Sequence, residues 1–117
     1  MSTARARRVA ELVKEELAQM LQRGLKDPRV GFVSVTEVEV SSDLSHIKVF
    51  FSPYGDEQAK RQTMAGLESA RGFIRSELGQ RLRLRLTPEL EFVADDSIER
   101  GARIFSLLRE IEKEQGE

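Results

Sequence analysis

The residues that offer chemistry here are mostly cations. Arg5, Arg7, Arg8 and Lys14 fall near the start of the chain, and Lys60, Arg61, Arg71, Arg75, Arg81, Arg83 and Arg85 fall between positions 60 and 85. Ammonium and guanidinium groups suit phosphate through charge, and arginine adds a planar fork that can grip two oxygens. Ala70-Arg71-Gly72 interrupts two helical patterns. A break there lets a helix N-terminus, with its free backbone N–H groups, face a phosphate, with Arg71 and Arg75 adding charge beside it. Taken singly, each cation is a solvated helix-face charge, and a pair such as Arg8 with Glu11 carries little energy.

The formal net charge of −1 hides a segregated distribution. Residues 1–30 carry seven basic and four acidic side chains, a net +3. Residues 31–59 are at −4, residues 60–85 at +5 and residues 86–117 at −5. If the two basic segments meet in space, they make a basic face on a nearly neutral protein.

Other chemistry is poorly supported. His46 is the only histidine and cysteine is absent, so neither a histidine cluster nor a thiolate site for a metal exists. Asp95-Asp96 are consecutive at a strand end and diverge in direction, so Asp96 is better read as a helix N-cap than as half of a Mg²⁺ site. Glu37 and Glu39 share a strand face, but no base or nucleophile accompanies them, and they read as its solvent side. No phosphate-binding loop, HExxH or Ser-His-Asp arrangement can be argued from spacing. The expectation is a non-enzyme without cofactors. Phe50, opposite Phe51 in its strand, is either a base-stacking ring or, the favoured reading, packed beneath a loop or terminal helix.

These residues need elements to hold them. Val9, Leu12, Val13, Leu17, Met20 and Leu21 recur at helical spacing and predict a helix over about 5–22, capped by Ser2 or Thr3 and ended by Gly24. Strands follow at about 32–41 and 46–52, joined by the polar connection Ser41-Ser42-Asp43-Leu44-Ser45. Val33 and Val35 have the opposite parity from Val38 and Val40, which a bulge or a change of covering would explain. Helices are expected at about 57–69 and 73–82, the second with Phe73, Ile74, Leu78 and Leu82 on its apolar side. Gly72 between them invites a kink. Pro88 places a third strand at about 89–94. Asp96-Ser97-Ile98-Glu99 is a capping box that opens a last helix, about 97–113. The order α-β-β-α-α-β-α predicts an α+β layer with helices on one face of a three-stranded sheet. No apolar run approaches the roughly 20 residues of a membrane span.

Four segments carry a family resemblance: 25–32 (Leu-Lys-Asp-Pro-Arg-Val-Gly-Phe), 40–49 (Val-Ser-Ser-Asp-Leu-Ser-His-Ile-Lys-Val), 82–90 (Leu-Arg-Leu-Arg-Leu-Thr-Pro-Glu-Leu) and 95–101 (Asp-Asp-Ser-Ile-Glu-Arg-Gly). In this order they resemble ribosome-binding factor A, over about residues 5–109. The resemblance implies a single type II KH-like RNA-binding domain over 1–117, with a kinked helix pair and a C-terminal helix. It also implies a cytoplasmic factor, monomeric when free, that binds the 30S subunit and 16S rRNA and assists late maturation, including growth in the cold. Ordinary KH domains grip the backbone with a GxxG loop. This sequence has none, and Ala70-Arg71-Gly72 is similar to the Ala-x-Gly kink of the family. The cations named above and the kink residues are then the expected RNA contacts. Two other readings are a helix-turn-helix DNA-binding regulator built on the second and third helices and a small metal-dependent nuclease.

Overall fold

The computed structural model describes residues 3–96. The helix expected at about 97–113, with its capping box, lies outside the described residues.

Helix α1 spans Ala4–Arg23. Thr3 caps it: its Oγ1 accepts the Ala6 N–H at 3.1 Å. Gly24 ends it at φ 85°, a conformation that favours glycine. Ala6, Val13, Leu17 and Met20 are buried along one stripe, while Leu12, which shares the apolar pattern, is exposed. The following loop lies along helix α2 (Glu57–Ser69). The buried Thr63 hydroxyl accepts the Gly31 N–H at 3.1 Å. Gly66 allows the close approach, since a Cβ there would meet Val30 Cγ2 at 2.6 Å and the Val30 nitrogen at 3.2 Å.

Strands β1 (Val33–Val40) and β2 (His46–Pro53) pair antiparallel. The register slips between Val35 and Glu37, leaving Thr36 as an extra residue. That bulge resolves the parity of the valines: Val33, Val35, Val38 and Val40 all pack toward the core. The Thr36 hydroxyl donates to Asp95 Oδ2 at 2.7 Å, which pins the bulge to the residue just beyond β3. In the 41–46 turn the Asp43 carboxylate accepts from the Ser41 hydroxyl and from both the N–H and hydroxyl of Ser45. These bonds hold its pKa at about 2, well below the usual carboxylate range. Leu44 takes φ 63°, costly for a branched side chain, and packs against the core.

Strand β3 (Glu89–Ala94) pairs parallel to β2, so the sheet order is β1-β2-β3. Parallel pairing needs a crossover, and the kinked pair α2 and α3 (Arg71–Arg81) supplies it. Helices α1, α2 and α3 bury residues in one core with a single sheet face: Leu67, Ile74 and Leu78 join Ile47, Val49, Phe51, Leu90 and Phe92. Phe51 and Phe92 meet edge to face at 5.0 Å between ring centroids. The opposite face carries Glu39, Lys48 and Glu91 side by side across the three strands. Half-buried Phe50 lies there too, with Lys48 Nζ 5.5 Å from its ring centre. The expected α+β layer, KH-like in its order and its kinked crossover, is thus present.

Candidate nucleic-acid interface

Helix α2 stops at Ser69 and α3 begins at Arg71, so Ala70 alone separates them. Ala70 has φ −87° and ψ 0°, enough to turn the axis without leaving the right-handed region. A helix-turn-helix needs a turn of three or four residues, so that arrangement is not made. Gly72 lies inside the first turn of α3 and is not among the positive-φ positions. A Cβ on Gly72 would meet nothing within 4 Å. The kink therefore needs no glycine for its own geometry; what Gly72 supplies is open backbone beside the helix start. Phe73, expected in the core, is instead 58% exposed next to it.

The arginines around the kink divide into two kinds. Arg71 is exposed and held lightly: Nη1 donates to the Leu90 carbonyl at 3.4 Å, and Nε lies 3.8 Å from Glu68. Arg75 is committed to the fold. Its Nε donates to the Pro88 carbonyl at 2.9 Å and its Nη2 to the Thr87 carbonyl and to Glu89 Oε1, each at 3.1 Å. Arg81 is also committed, bridging Glu77 on its own helix and Glu16 on α1 at 3.2 and 3.0 Å. The hydrogen bond to Glu16, then that to Glu77, raises its pKa above the ordinary arginine value. The link between the two basic segments is thus itself an ion pair.

Arg83 and Arg85 follow α3 in an exposed loop and make no side-chain hydrogen bond or ion pair with another described residue. Arg83 has φ 51°. It closes the helix in the position glycine usually takes: its N–H bonds the Gln80 carbonyl, and the Leu84 N–H bonds that of Gly79. Leu86 beside them is 85% exposed. Arg61 is exposed on α2 and Nε reaches back to the Glu57 carbonyl at 3.4 Å, whereas Lys60 lies 4.0 Å from Glu57 Oε1.

On α1, Arg5, Arg7 and Arg8 are exposed and Lys14 is half-buried. Arg7 lines a cleft of about 880 Å³ together with Glu37, Glu39, Glu89 and Glu91. Lys48 and His46 line the same cleft, and none of the arginines of the kink does.

One cation joins the kink that the sequence did not single out. Arg29 Nη2 donates to the Ser69 hydroxyl at 2.7 Å, one residue before Ala70. Asp27 orients it through a 2.6 Å ion pair and takes its backbone N–H at 2.9 Å. These bonds, the guanidinium's first, hold Asp27 at about 2. Only the family-like segment 25–32 hinted at Arg29, because its partner is 40 residues away.

Among the described residues no three His, Cys, Asp or Glu side chains are grouped to hold a metal ion. No described helix is long and apolar enough to cross a membrane.

The sequence model of one family, described as ribosome-binding factor A, matches residues 5–108. The chain belongs to the ribosome-binding factor A family. Ribosome-binding factor A of Trichormus variabilis is 59% identical over 110 residues, covering 92% of this chain and 83% of that protein. The crystal structure of ribosome-binding factor A from Thermus thermophilus superposes with a TM-score of 0.65 at 28% identity, covering 76% of this chain and 94% of that one. A homology model of Thermus thermophilus ribosome-binding factor A, fitted into the cryo-electron-microscopy map of a 30S complex, superposes with a TM-score of 0.59 at 31% identity. It covers 74% of this chain and 91% of that one. The family is one of ribosome-binding factors, and the KH-like fold is shared with its solved members.

Proposed function

We propose that this chain is a non-catalytic assembly factor of the small ribosomal subunit. It binds free 30S subunits through 16S rRNA and assists late maturation, in the cytoplasm and with most effect in the cold. It acts as one domain over 1–117 and is monomeric when free. The observation that carries the reading is the kink, where exposed Arg71 and Arg29 flank the open backbone at Gly72. Phosphate suits such an arrangement: exposed cations beside N–H groups without a helical partner, with Arg71 only loosely paired to Glu68 and Arg29 oriented by its pair with Asp27. Arg83 and Arg85, past the far end of α3, and Arg61 on α2 are further exposed cations. Membership of the family, and the 30S complex of its Thermus thermophilus relative, support the small subunit as the partner.

The decisive experiment is co-sedimentation with purified free 30S subunits and with assembled 70S ribosomes at moderate salt. The expected result is binding to the former and little to the latter. Equal recovery with both, or with neither, overturns the proposal. Parallel incubation with duplex DNA covers the regulator reading, which predicts retention there instead.

A further inference from the structure

Two aromatic rings meet in the open at the end of the hairpin away from its turn. Phe32 precedes β1 and Tyr54 follows β2; the Tyr54 N–H donates to the Phe32 carbonyl at 2.9 Å. The rings are edge to face, 6.2 Å apart between centroids and 78° between planes. Phe32 is 80% exposed and Tyr54 73%. Neither belongs to the core, and the backbone bond already closes the hairpin end. The fold therefore gives no account of two large rings left in water at adjacent positions.

Their place relative to α2 supplies one. Gly31, beside Phe32, is bonded to Thr63, and Tyr54 lies two residues before Asp56, the N-cap of α2. Arg61 folds back toward the same helix start through the Glu57 carbonyl. Arg29 and the kink sit at the other end of α2, at Ser69. The two ends are separated by roughly 20 Å at 1.5 Å per residue, a span of a few nucleotides. We propose that Phe32 and Tyr54 form a stacking platform for unpaired bases of the RNA whose phosphates lie at the kink. This rests on the RNA-binding reading above. Every base has a π-face, so such a platform is tolerant of sequence. A protein partner fits less well. Two rings offer on the order of 150–250 Å² each, far short of the roughly 800 Å² per partner of a stable protein interface. Among the described residues the other large exposed apolar side chains, Leu12, Phe73 and Leu86, lie on other segments.

Tyr54 is the only tyrosine and tryptophan is absent, so intrinsic emission reports on this site alone. The experiment titrates the protein with a short single-stranded oligoadenylate and with an RNA duplex of equal length. The same variants are then assayed for binding to free 30S subunits. The expected result is saturable quenching of Tyr54 by the single strand and little by the duplex. Phe32→Ala and Tyr54→Ala should each weaken single-strand and subunit binding roughly ten-fold, while Tyr54→Phe, which keeps the ring, binds as the parent does. Thermal melts should match throughout, since both rings are exposed. If Phe32→Ala and Tyr54→Ala bind as the parent while Arg71→Glu binds weakly, the platform is refuted and the RNA reading stands. If Arg71→Glu also binds as the parent, both fail. Loss of subunit binding without loss of oligonucleotide binding would place a protein against the rings and overturn the platform.

Discussion

Helix α3 and the loop that follows it are equally rich in arginine, yet they use it differently. Arg75 and Arg81 are bound to carbonyl and carboxylate oxygens of the protein itself. Arg83 and Arg85, a few residues on, are exposed and have no partner among the described residues. A positive charge already matched by an internal oxygen has little left for a phosphate, because taking the phosphate means breaking those bonds. Counting cations along a segment therefore overstates its affinity for RNA. The useful count is of cations held in place but not neutralised.

The largest effect that would test this contrast is on stability. Arg75→Ala should lower the free energy of unfolding by roughly 2 kcal/mol, since it frees the Thr87 and Pro88 carbonyls from charged donors. Urea denaturation would read it, and an unchanged midpoint would break the contrast from the structural side. The double variant Arg83→Glu/Arg85→Glu should leave that midpoint within about 0.5 kcal/mol of the parent. It should weaken 30S binding roughly ten-fold and shorten the slope of log K against log salt by nearly one for each lost contact. A parental slope would show that the loop faces solvent in the complex. Arg83→Gly is expected to raise stability by about 1 kcal/mol, because a left-handed residue without a Cβ relieves the strain of φ 51°. Failure of the thermal midpoint to rise would mean that the arginine is not strained there. Gly72→Ala should add about 0.5 kcal/mol, as helix propensity favours alanine and a Cβ there meets only open space. A drop in stability would restore the glycine to a conformational role. The smallest signal is a titration. Asp43 and Asp27 are held at about 2, so what their bonds contribute is present above the ordinary carboxylate value of 3.8 and is lost as pH falls from there toward 2. Carboxyl chemical shifts should show those midpoints, and one near 3.8 would mean that the turn bonds are absent in solution.

The elements were legible because periodicity depends only on neighbours along the chain. Helix α2 and strand β3 fall where the apolar pattern and Pro88 put them, and the other elements among the described residues differ by one or two residues at their ends. Helix α3 starts at Arg71 rather than Phe73, because Ala70 alone makes the turn. What pattern could not supply was partnership. The extra residue Thr36 is explained by Asp95, 59 positions away. Arg75 reads as a free cation until the β3 approach is seen to bring three oxygens to it. Phe73 and Leu12 satisfy the helical period yet face solvent, since the period marks a stripe wider than the sheet covers. The candidate interface was readable as a list of cations and a kink. Sorting that list required knowing which oxygens lie within reach, and the exposure of Phe32 and Tyr54 left no mark in the sequence.

The parallel pairing of β3 with β2 bears on how the chain reaches this state. The hairpin closes from residues a few positions apart, and α1 can meet it early; β3 must return across the whole α2–α3 crossover before its first ladder bond forms. All the hydrogen-bond acceptors of Arg75 lie on the approach to that strand, at Thr87, Pro88 and Glu89. The crossover is therefore expected to gain its final orientation last, after most of the core has been nucleated. During synthesis the surface offered to RNA would be completed only when β3 has emerged, so a nascent chain would not engage its target prematurely. Pulsed hydrogen exchange during refolding, with β3 amides protected after those of the β1–β2 hairpin, is the expected signature.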